Sequence, residues 1–392
     1  MFKIKNQLFL FYLFIFCFSS FCLFGCYKEK EIIIPDVVDV DEEVVLFIVE
    51  ANNNLKYEAF QTINRLETSI TKSQNILVYV NSDDDNSFLL RVKKDDDEYI
   101  FNSDTIARFN KIDDNIITIS ECLAWIKGKW NISGIVFWSH GTSWYPDTIP
   151  NKSLNGKQFY DNHGQIKLKS FGDDRGKKID IKRLASTIPN VDFLIFDACS
   201  MATMEVLYEF KDKAKYIVAS PTETLAESMP YQNVTRFLTS SPKDLESICK
   251  MYIDYYKSYT DLRRSASISL FDMSKFDLFV NKLKECKYMS LNYDFEKEKI
   301  MRLDFSDDFP GPIYDFLGFL SRNFDSREVD LLDGMLRKCI LYKGHTESIL
   351  GNKVDSLSGV GISIVSRYDK YLSYYNKLKW TIDTSFEPVR GR

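Results

Sequence analysis

The chain has 392 residues, 45% of them hydrophobic, so it can bury a large core as one big domain or two of ordinary size. Its formal net charge at pH 7 is -5, and no basic stripe is present, which argues against a nucleic-acid partner. Only three histidines occur, which argues against a metal site built on several imidazoles.

The N-terminal segment has the pattern of an export signal. Lys3 and Lys5 precede an almost continuous apolar run over residues 8–23. A short apolar run that ends in a small residue is typical of a secretory signal rather than of a membrane span. We therefore expect residues 1–25 to be a signal peptide. An uncleaved anchor helix is the alternative, and either way the remaining chain lies outside the cytoplasm.

A cysteine directly after Gly25 gives this signal a second meaning. The sequence Leu23-Phe24-Gly25-Cys26 resembles the lipobox of bacterial lipoproteins. On that resemblance Cys26 is the lipidated first residue of the mature protein, and the protein is anchored to the bacterial cell envelope. The charged residues 26–43 are then expected to form a tether.

Strands and helices alternate over the next part of the chain. Helices are predicted at residues 56–71 (with Phe60, Ile63 and Leu66 on one face), 115–127, 179–188 and 201–210. Strands are predicted at residues 44–49, 76–80, 134–138, 191–196 and 216–220, with a hairpin formed by 88–92 and 98–101. This alternation is typical of an α/β fold, and we expect a mostly parallel sheet flanked by helices over residues 44–240.

The pattern changes after residue 240. Ser241-Pro242-Lys243-Asp244 has the form of a capping box with proline at the first helical position. Helical spacing follows it, and a strand is predicted at residues 266–271 before further helices. We expect residues 241–392 to form an α+β accessory region packed on the catalytic sheet.

Two short motifs carry the chemistry. Gly134-Ile135-Val136-Phe137-Trp138 leads into Ser139-His140-Gly141, and Val191 to Phe196 leads into Asp197-Ala198-Cys199. Apolar runs of this length that stop at small and polar residues indicate buried parallel strands. Sites in open α/β sheets are built at the carboxyl edge of such strands. A histidine and a cysteine at one edge predict a base and a nucleophile within reach of each other.

These residues suit attack on a carbonyl. A thiol reacts as its thiolate, which a predicted helix N-terminus after Cys199 stabilises. His140 can protonate the leaving amine. The N–H groups of Gly141 and Cys199 are the expected donors to the oxyanion. The structural alternatives are a hydrogen-bonded histidine and a core cysteine. Since Cys122, Cys199, Cys249, Cys286 and Cys339 are odd in number, at least one thiol stays unpaired in an exported protein.

The order His-Gly and then Asp-Ala-Cys resembles the caspase-like cysteine peptidases. More closely, the chain resembles the clostripain family. The motifs that carry this resemblance are Ser139-His140-Gly141, Lys169-Ser170-Phe171-Gly172-Asp173, Phe196-Asp197-Ala198-Cys199-Ser200-Met201 with Glu205-Val206, Ala219-Ser220-Pro221-Thr222-Glu223, and Ser358-Gly359-Val360-Gly361-Ile362-Ser363.

The resemblance implies a caspase-like sheet and a protease that cleaves after arginine or lysine. It makes His140 the acid and base, Cys199 the nucleophile, and Asp197 the carboxylate at the base of the specificity pocket. Ser220 and Glu223 are expected to complete that pocket. Charge agrees with this assignment, because a buried carboxylate near the nucleophile pairs with a basic side chain. The alternatives are a structural Asp197 bonded to backbone N–H groups and a surface position for Glu223.

Two further properties follow from the resemblance alone. Some family members cut themselves between the two motifs, and basic residues are available there at Lys152, Lys157, Lys167, Lys169, Arg175, Lys177 and Lys178. Some members use calcium. The clusters Asp83-Asp84-Asp85 and Asp95-Asp96-Asp97 lack a recognisable ligand loop, so we expect them to stay solvated.

The leading hypothesis is a lipid-anchored endopeptidase that acts on polypeptides with Arg or Lys at the cleaved bond. A catalytically inactive caspase-like surface lipoprotein that serves as a binding module is the alternative, and the presence of both His140 and Cys199 argues against it. Transpeptidation is a third possibility, because an amine can take the place of water in attacking a thioester.

Overall fold

The computed structural model describes residues 42–71, 75–97, 99–112, 114–146, 179–286, 300–305, 311–365 and 369–385, and the backbone of two short paired strands, Phe159–Asp161 and Gly164–Ile166. Within these ranges no helix is long and apolar enough to cross a membrane. The signal peptide, Cys26 and most of the segment between the two motifs lie outside the described residues.

A nine-stranded sheet forms the centre of the fold, with the spatial order β9-β8-β7-β6-β5-β1-β2-β3-β4. In chain order its strands are β1 Glu43–Glu50, β2 Ile76–Asn81, β3 Asn86–Arg91, β4 Asp104–Asn110, β5 Asn131–Trp138, β6 Val191–Asp197, β7 Ala214–Ala219, β8 Ser267–Asp272 and β9 Ile340–His345.

The sheet is parallel in its middle and antiparallel at its margins. Strands β2, β1, β5, β6 and β7 run parallel to one another. Strand β3 runs antiparallel to β2, β4 to β3, and β8 to β7. The middle strands read as continuous apolar runs because helices cover both of their faces. The predicted mostly parallel α/β sheet is therefore confirmed.

Helices cover the sheet in two layers. On one face, α1 Lys56–Ser69, α5 Tyr231–Leu238 and α6 Leu245–Lys257 pack over the sheet. On the other lie α2 Asn115–Ile126, α3 Ile181–Thr187, α4 Met204–Phe210, α7 Phe276–Glu285, α8 Phe316–Asn323, α9 Ser326–Cys339, α10 Leu372–Tyr375 and α11 Lys379–Thr384.

The C-terminal region adds to the same sheet. Strand β8 pairs with β7, and β9 pairs with β8, so the predicted boundary at residue 240 separates two regions that share one sheet. A short strand, Ile313–Asp315, also pairs with Gly361–Ser363 beside the sheet. Strand β9 has no clear signal in the sequence: it follows α9 directly and is only partly buried, as is usual for an edge strand.

The prediction of a second hairpin strand at residues 98–101 was wrong. Residue 98 of the predicted strand lies outside the described residues. Residues 99–101 do not form a strand, and β4 begins later, at Asp104. The reason is the buried Glu67 of α1, whose Oε1 accepts hydrogen bonds from the N–H groups of Asn102 and Ser103 and holds this segment across the helix. Phe60 does not face the core either: it is 36% exposed and packs edge-on against Phe101.

The cap of α6 also differs from the prediction. The helix begins at Leu245, and Asp244 caps it by accepting a hydrogen bond from the N–H of Ser247. The predicted capping box at Ser241 therefore lies one turn too early. An aspartate directly before an apolar periodic run is a sufficient cap by itself.

Candidate active site

His140 and Cys199 leave neighbouring strands at the same level. Strands β5 and β6 are parallel, and Trp138 pairs with Asp197 in their register. His140 and Cys199 each follow two residues after this pair. Because neighbouring strands lie about 4.8 Å apart, the two residues emerge side by side at the carboxyl edge of the sheet.

The loop that carries His140 touches the backbone of Cys199. A Cβ atom placed on Gly141 would lie 2.1 Å from the carbonyl oxygen of Cys199 and 2.6 Å from its nitrogen. No residue larger than glycine fits at this distance without moving one of the two loops. The close approach also brings the N–H-bearing backbone of Gly141 next to that of Cys199.

His140 has a partner that the sequence analysis missed. Its Nε2 lies 2.7 Å from Oδ1 of Asn54, in the loop after β1. Since an amide oxygen only accepts hydrogen bonds, Nε2 carries the proton, and Nδ1 is the nitrogen that exchanges protons. Strand β1 is the parallel neighbour of β5, which is why its loop reaches the imidazole. The run Asn52-Asn53-Asn54 at a strand end was the available signal.

Backbone groups of the loop after β7 surround the sulfur of Cys199. Its Sγ accepts a hydrogen bond from the N–H of Thr224 at 3.0 Å and donates to the carbonyl oxygen of Thr224 at 3.4 Å. The N–H of Ser200 donates to the carbonyl oxygen of Thr222. An N–H directed at the sulfur stabilises the thiolate form.

The helix that follows Cys199 begins later than the sequence predicts. Ser200 has a φ of 56°, and α4 starts only at Met204 rather than at residue 201. The field of a helix falls off within its first turn. The predicted stabilisation of the thiolate by a helix N-terminus is therefore replaced by the contact with the N–H of Thr224.

Asp197 lies beneath the site as a buried carboxylate that is 1% exposed. Its Oδ2 accepts hydrogen bonds from Ser228 Oγ at 2.6 Å and Tyr231 OH at 2.7 Å, and a longer one from the N–H of Met229. These three donors are neutral, so they stabilise the carboxylate without cancelling its charge. Burial, followed by the charge of Asp197, raises the pKa of Tyr231 well above its usual value.

Ser220 and Glu223 lie in the loop that contacts Cys199. Ser220 Oγ lies 2.9 Å from Ser267 Oγ, and the carbonyl oxygen of Ser220 accepts from the N–H of Ala202. Glu223 is buried, directly before Thr224 in the sequence. The surface position considered for Glu223 is therefore wrong, and a second buried carboxylate lies one residue before Thr224, whose backbone contacts the sulfur of Cys199.

All five cysteines considered above are free thiols. Burial raises the pKa of Cys122 and Cys249, and it raises the pKa of Cys339 to about 11. Thiols in such apolar surroundings are poor nucleophiles. Cys199 differs from these in its contact with polar backbone groups beside a histidine.

The described part of the chain holds no group of three or more His, Cys, Asp or Glu side chains placed to bind a metal ion. The Asp-rich turns fold back on themselves: Asp83 accepts from the N–H of Asp85, and Asp95 accepts from the N–H of Asp97. Each turn therefore uses one carboxylate oxygen for a backbone hydrogen bond, and the chemistry below uses only groups of the chain.

A mostly parallel sheet that presents a histidine and a cysteine side by side at one edge defines the class of caspase-like cysteine peptidases. Comparison with protein families agrees: the model of the clostripain peptidase family matches residues 47–308. The chain therefore belongs to the clostripain family of cysteine peptidases, whose substrates are polypeptides. No curated protein matches the sequence.

Solved structures share the fold. A secreted C11 cysteine protease from Bacteroides thetaiotaomicron called iotapain aligns with a TM-score of 0.73 at 21% identity, covering 88% of this chain and 100% of that one. An inactive zymogen C11 protease from Parabacteroides distasonis aligns with a TM-score of 0.67 at 21% identity, covering 90% and 99%. A secreted Bacteroides thetaiotaomicron C11 protease in complex with an irreversible peptide inhibitor gives 0.66 at 20%, covering 88% and 100%.

Proposed function

We propose that the protein is an endopeptidase that cleaves after arginine or lysine, with Cys199 as nucleophile and His140 as acid and base. The observation that carries this proposal is the shared level of the two residues on β5 and β6, with Gly141 packed directly on the backbone of Cys199. A base and a nucleophile delivered in this way need no rearrangement of the sheet to meet.

In the first step the thiolate of Cys199 attacks the scissile carbonyl, and a C–S bond forms while the carbonyl oxygen becomes an oxyanion. The N–H groups of Gly141 and Cys199 are the proposed donors to this oxyanion. The C–N bond then breaks, and the imidazolium of His140 gives its proton to the departing amine. The product of this step is a thioester on Cys199.

In the second step neutral His140 takes a proton from water, and the resulting hydroxide attacks the thioester. The C–S bond breaks, the carboxylic acid leaves, and the thiolate returns. The hydrogen bond from Nε2 to Asn54 holds the imidazole in the tautomer that both steps require. Asn54 acts through His140, so it is a positioning residue.

The charge of Asp197 supports the preference for a basic side chain. Its hydrogen-bond donors Ser228 and Tyr231 are neutral. The acidic Glu223 is also buried, and it directly precedes Thr224, which contacts Cys199. A guanidinium or ammonium group brought between such carboxylates makes charge-assisted hydrogen bonds. Ser220 is proposed as a polar wall of the same pocket.

We propose that the chain matures by cutting itself between the two motifs. The support is burial: His140 is 6% exposed and Cys199 is 2% exposed in the uncut chain. One structural relative is described as an inactive zymogen. Incubation of the purified full chain is expected to yield two fragments cut within residues 147–178, and C199A is expected to stay intact. An intact wild-type chain with full activity would overturn this part.

We also propose, from the sequence, that Cys26 carries a lipid anchor. Export to the cell envelope is proposed as well, and it is supported by two related structures that are described as secreted proteases. Mass spectrometry of the N-terminal peptide from the membrane fraction should find Cys26 as the first residue, carrying acyl chains. A C26S chain should be released from that fraction. An unmodified Cys26 would overturn the proposal.

The experiment that tests the central proposal uses fluorogenic peptides with Arg, Lys, citrulline or norleucine at the cleaved bond. We expect turnover of the Arg and Lys peptides only. C199A should be inactive, whereas C286A, which removes a partly exposed thiol outside the site, should retain activity. Absence of thiol-dependent turnover would favour the binding module, and product capture by an added amine would reveal transpeptidation.

A further inference from the structure

A cavity opens at the edge of the sheet where Cys199 lies. It has a volume of about 190 Å³. This volume is well above what a single water molecule needs, so the cavity can take part of a side chain. The residues that line it come from the loop after β7, from β8, from β9 and from the segment that follows: Pro221, Ser267, Ser269, Lys343, Gly344, His345, Ser356, Leu357 and Gly359.

Register places this cavity beside the proposed active site. Ser269 pairs with Ala219 at the end of β7, and Ser267 pairs with His345 at the end of β9. The Oγ of Ser267 lies 2.9 Å from Ser220 Oγ and 2.7 Å from Thr222 Oγ1. The carbonyl oxygen of Thr222 accepts a hydrogen bond from the N–H of Ser200, the residue after Cys199. A short chain of hydrogen bonds therefore connects the cavity with the proposed nucleophile.

The direction of a bound peptide follows from the proposed chemistry. The departing amine must receive its proton from His140 on β5, so the C-terminal part of the substrate lies on that side of Cys199. The acyl part then extends the other way, over β7 towards β8 and β9. A cavity on β8 and β9 therefore faces residues on the N-terminal side of the cleaved bond.

The lining favours a negatively charged side chain. The Nζ of Lys343 donates one hydrogen bond, to the carbonyl oxygen of Leu357 at 2.8 Å, and an ammonium group has three N–H donors. Ser269 donates its hydroxyl proton to the carbonyl oxygen of Gly359, and Ser267 bonds to the hydroxyls of Ser220 and Thr222, so Lys343 is the donor on which recognition depends. The ring of Pro221 adds an apolar wall. Among the described residues, the buried Asp315 interacts electrostatically with Lys343, and its carboxylate accepts a hydrogen bond from the N–H of Ser358.

We propose that this cavity is a specificity subsite for a glutamate or aspartate on the N-terminal side of the cleaved bond, with Lys343 as the residue that recognises its carboxylate. The inference rests on the proposed peptidase function. It gives the enzyme two charge requirements of opposite sign: a basic residue at the cleaved bond and an acidic residue upstream of it.

The test is cleavage of a mixed peptide library by the full chain, with products read by mass spectrometry, followed by kinetics on matched peptides. We expect an acidic residue to be enriched at one upstream position. At that position Glu should exceed the isosteric Gln by about tenfold in kcat/KM, the effect of one hydrogen bond to a charged group.

Variants assign the effect to Lys343. K343M should remove the preference for the Glu peptide over the Gln peptide, and K343R should keep that preference. K338M, which alters an exposed lysine on α9, is the matched control and should behave as wild type. Thermal unfolding of each variant should give a cooperative transition like that of the wild type, which would show that the fold is retained.

The possible outcomes separate the two proposals. Cleavage after Arg or Lys without an upstream acidic preference overturns the subsite and leaves the proposed function standing. An upstream acidic preference that depends on Lys343, without Arg or Lys at the cleaved bond, supports the subsite and overturns the basic specificity. Equal loss on the Glu and Gln peptides in K343M shows a structural role and overturns the subsite.

Discussion

The imidazole Nε2 of His140 lies 2.7 Å from the amide oxygen of Asn54, although the two residues are 86 positions apart in the chain. Parallel pairing of β1 with β5 creates this contact, because the loop after β1 passes beside the loop after β5. The hydrogen bond fixes both the ring orientation and its tautomer, and it leaves Nδ1 as the nitrogen that exchanges protons.

Replacement of Asn54 should therefore slow the reaction without weakening substrate binding. N54A is expected to lower kcat by about ten- to hundredfold with little change in KM, because it impairs but does not remove general acid–base catalysis, which contributes roughly 10²- to 10⁴-fold. N54D keeps an acceptor and adds negative charge, so it should raise the pKa of the imidazolium and move the basic limb of the pH–rate profile to higher pH.

The control for this prediction is N52A, which removes a half-buried side chain of the same loop that bonds to Asp84. It should leave both kcat and the pH profile unchanged. If N54A and N52A reduce activity equally, the loop matters only as a support, and Asn54 does not position the imidazole.

A methyl group at Gly141 should disrupt the site. Its Cβ would collide with the backbone of Cys199, so the loops that carry His140 and Cys199 must separate. We expect G141A to lower kcat/KM by about a hundredfold, the scale of a misplacement of about 1 Å. The free energy of unfolding should fall by about 1–3 kcal/mol from overpacking.

Gly334 offers a matched control, because a Cβ placed there in helix α9 meets no atom within 4 Å. G334A should keep full activity and gain up to about 1 kcal/mol of stability from its higher helix propensity. Urea unfolding and peptide kinetics on both variants measure the two effects. Normal kinetics in G141A would contradict the proposed contact.

Removal of the charge of Asp197 tests its place in the specificity pocket. D197N should reduce the preference for Arg over citrulline by at least about tenfold in kcat/KM, because the pocket loses a charge-assisted partner. Y231F removes one hydrogen-bond donor but keeps the carboxylate, so it should lower stability and preserve the preference. An unchanged preference in D197N would leave Asp197 with a structural role only.

Glu205 should make stability depend on pH. Burial raises the pKa of its carboxyl group to about 7, although Oε1 accepts hydrogen bonds from the N–H of Ser363 and the OH of Tyr375. The folded pKa thus exceeds the unfolded value, so this contribution to stability is full below about pH 4.5 and is lost as the pH rises through about 7.

Comparison of wild type with E205Q isolates this effect. Between pH 5 and pH 8 the free energy of unfolding of the wild type should fall by about 2–3 kcal/mol relative to the variant, since one pKa unit corresponds to about 1.4 kcal/mol. Urea titrations at the two pH values measure the difference. A constant difference between the two proteins would show that Glu205 titrates normally.

Local patterns were enough to predict the strands that carry the site. The apolar runs before His140 and Cys199 stop at or next to the ends of β5 and β6, since strands covered on both faces are mostly apolar. Prediction failed where a distant contact decides the structure. Glu67 holds residues 102 and 103 across α1, and this displaced the predicted hairpin strand.

The edge strand β9 shows the same limit. Its sequence alternates only weakly, and it becomes a strand because β8, which lies far away along the chain, offers it a free edge. Asn54 illustrates this for the site, because three successive asparagines follow β1 and only the packed loops select the one that meets His140.

The order of amino acids by itself determined the class of chemistry, since the residue types at two strand ends are properties of short segments. Packing alone decided which side chains those two groups touch: the amide that orients the imidazole, the backbone N–H that faces the sulfur, and the cavity two strands away. Such contacts join segments that are remote along the chain, and their geometry exists only once the sheet has brought its strands into register.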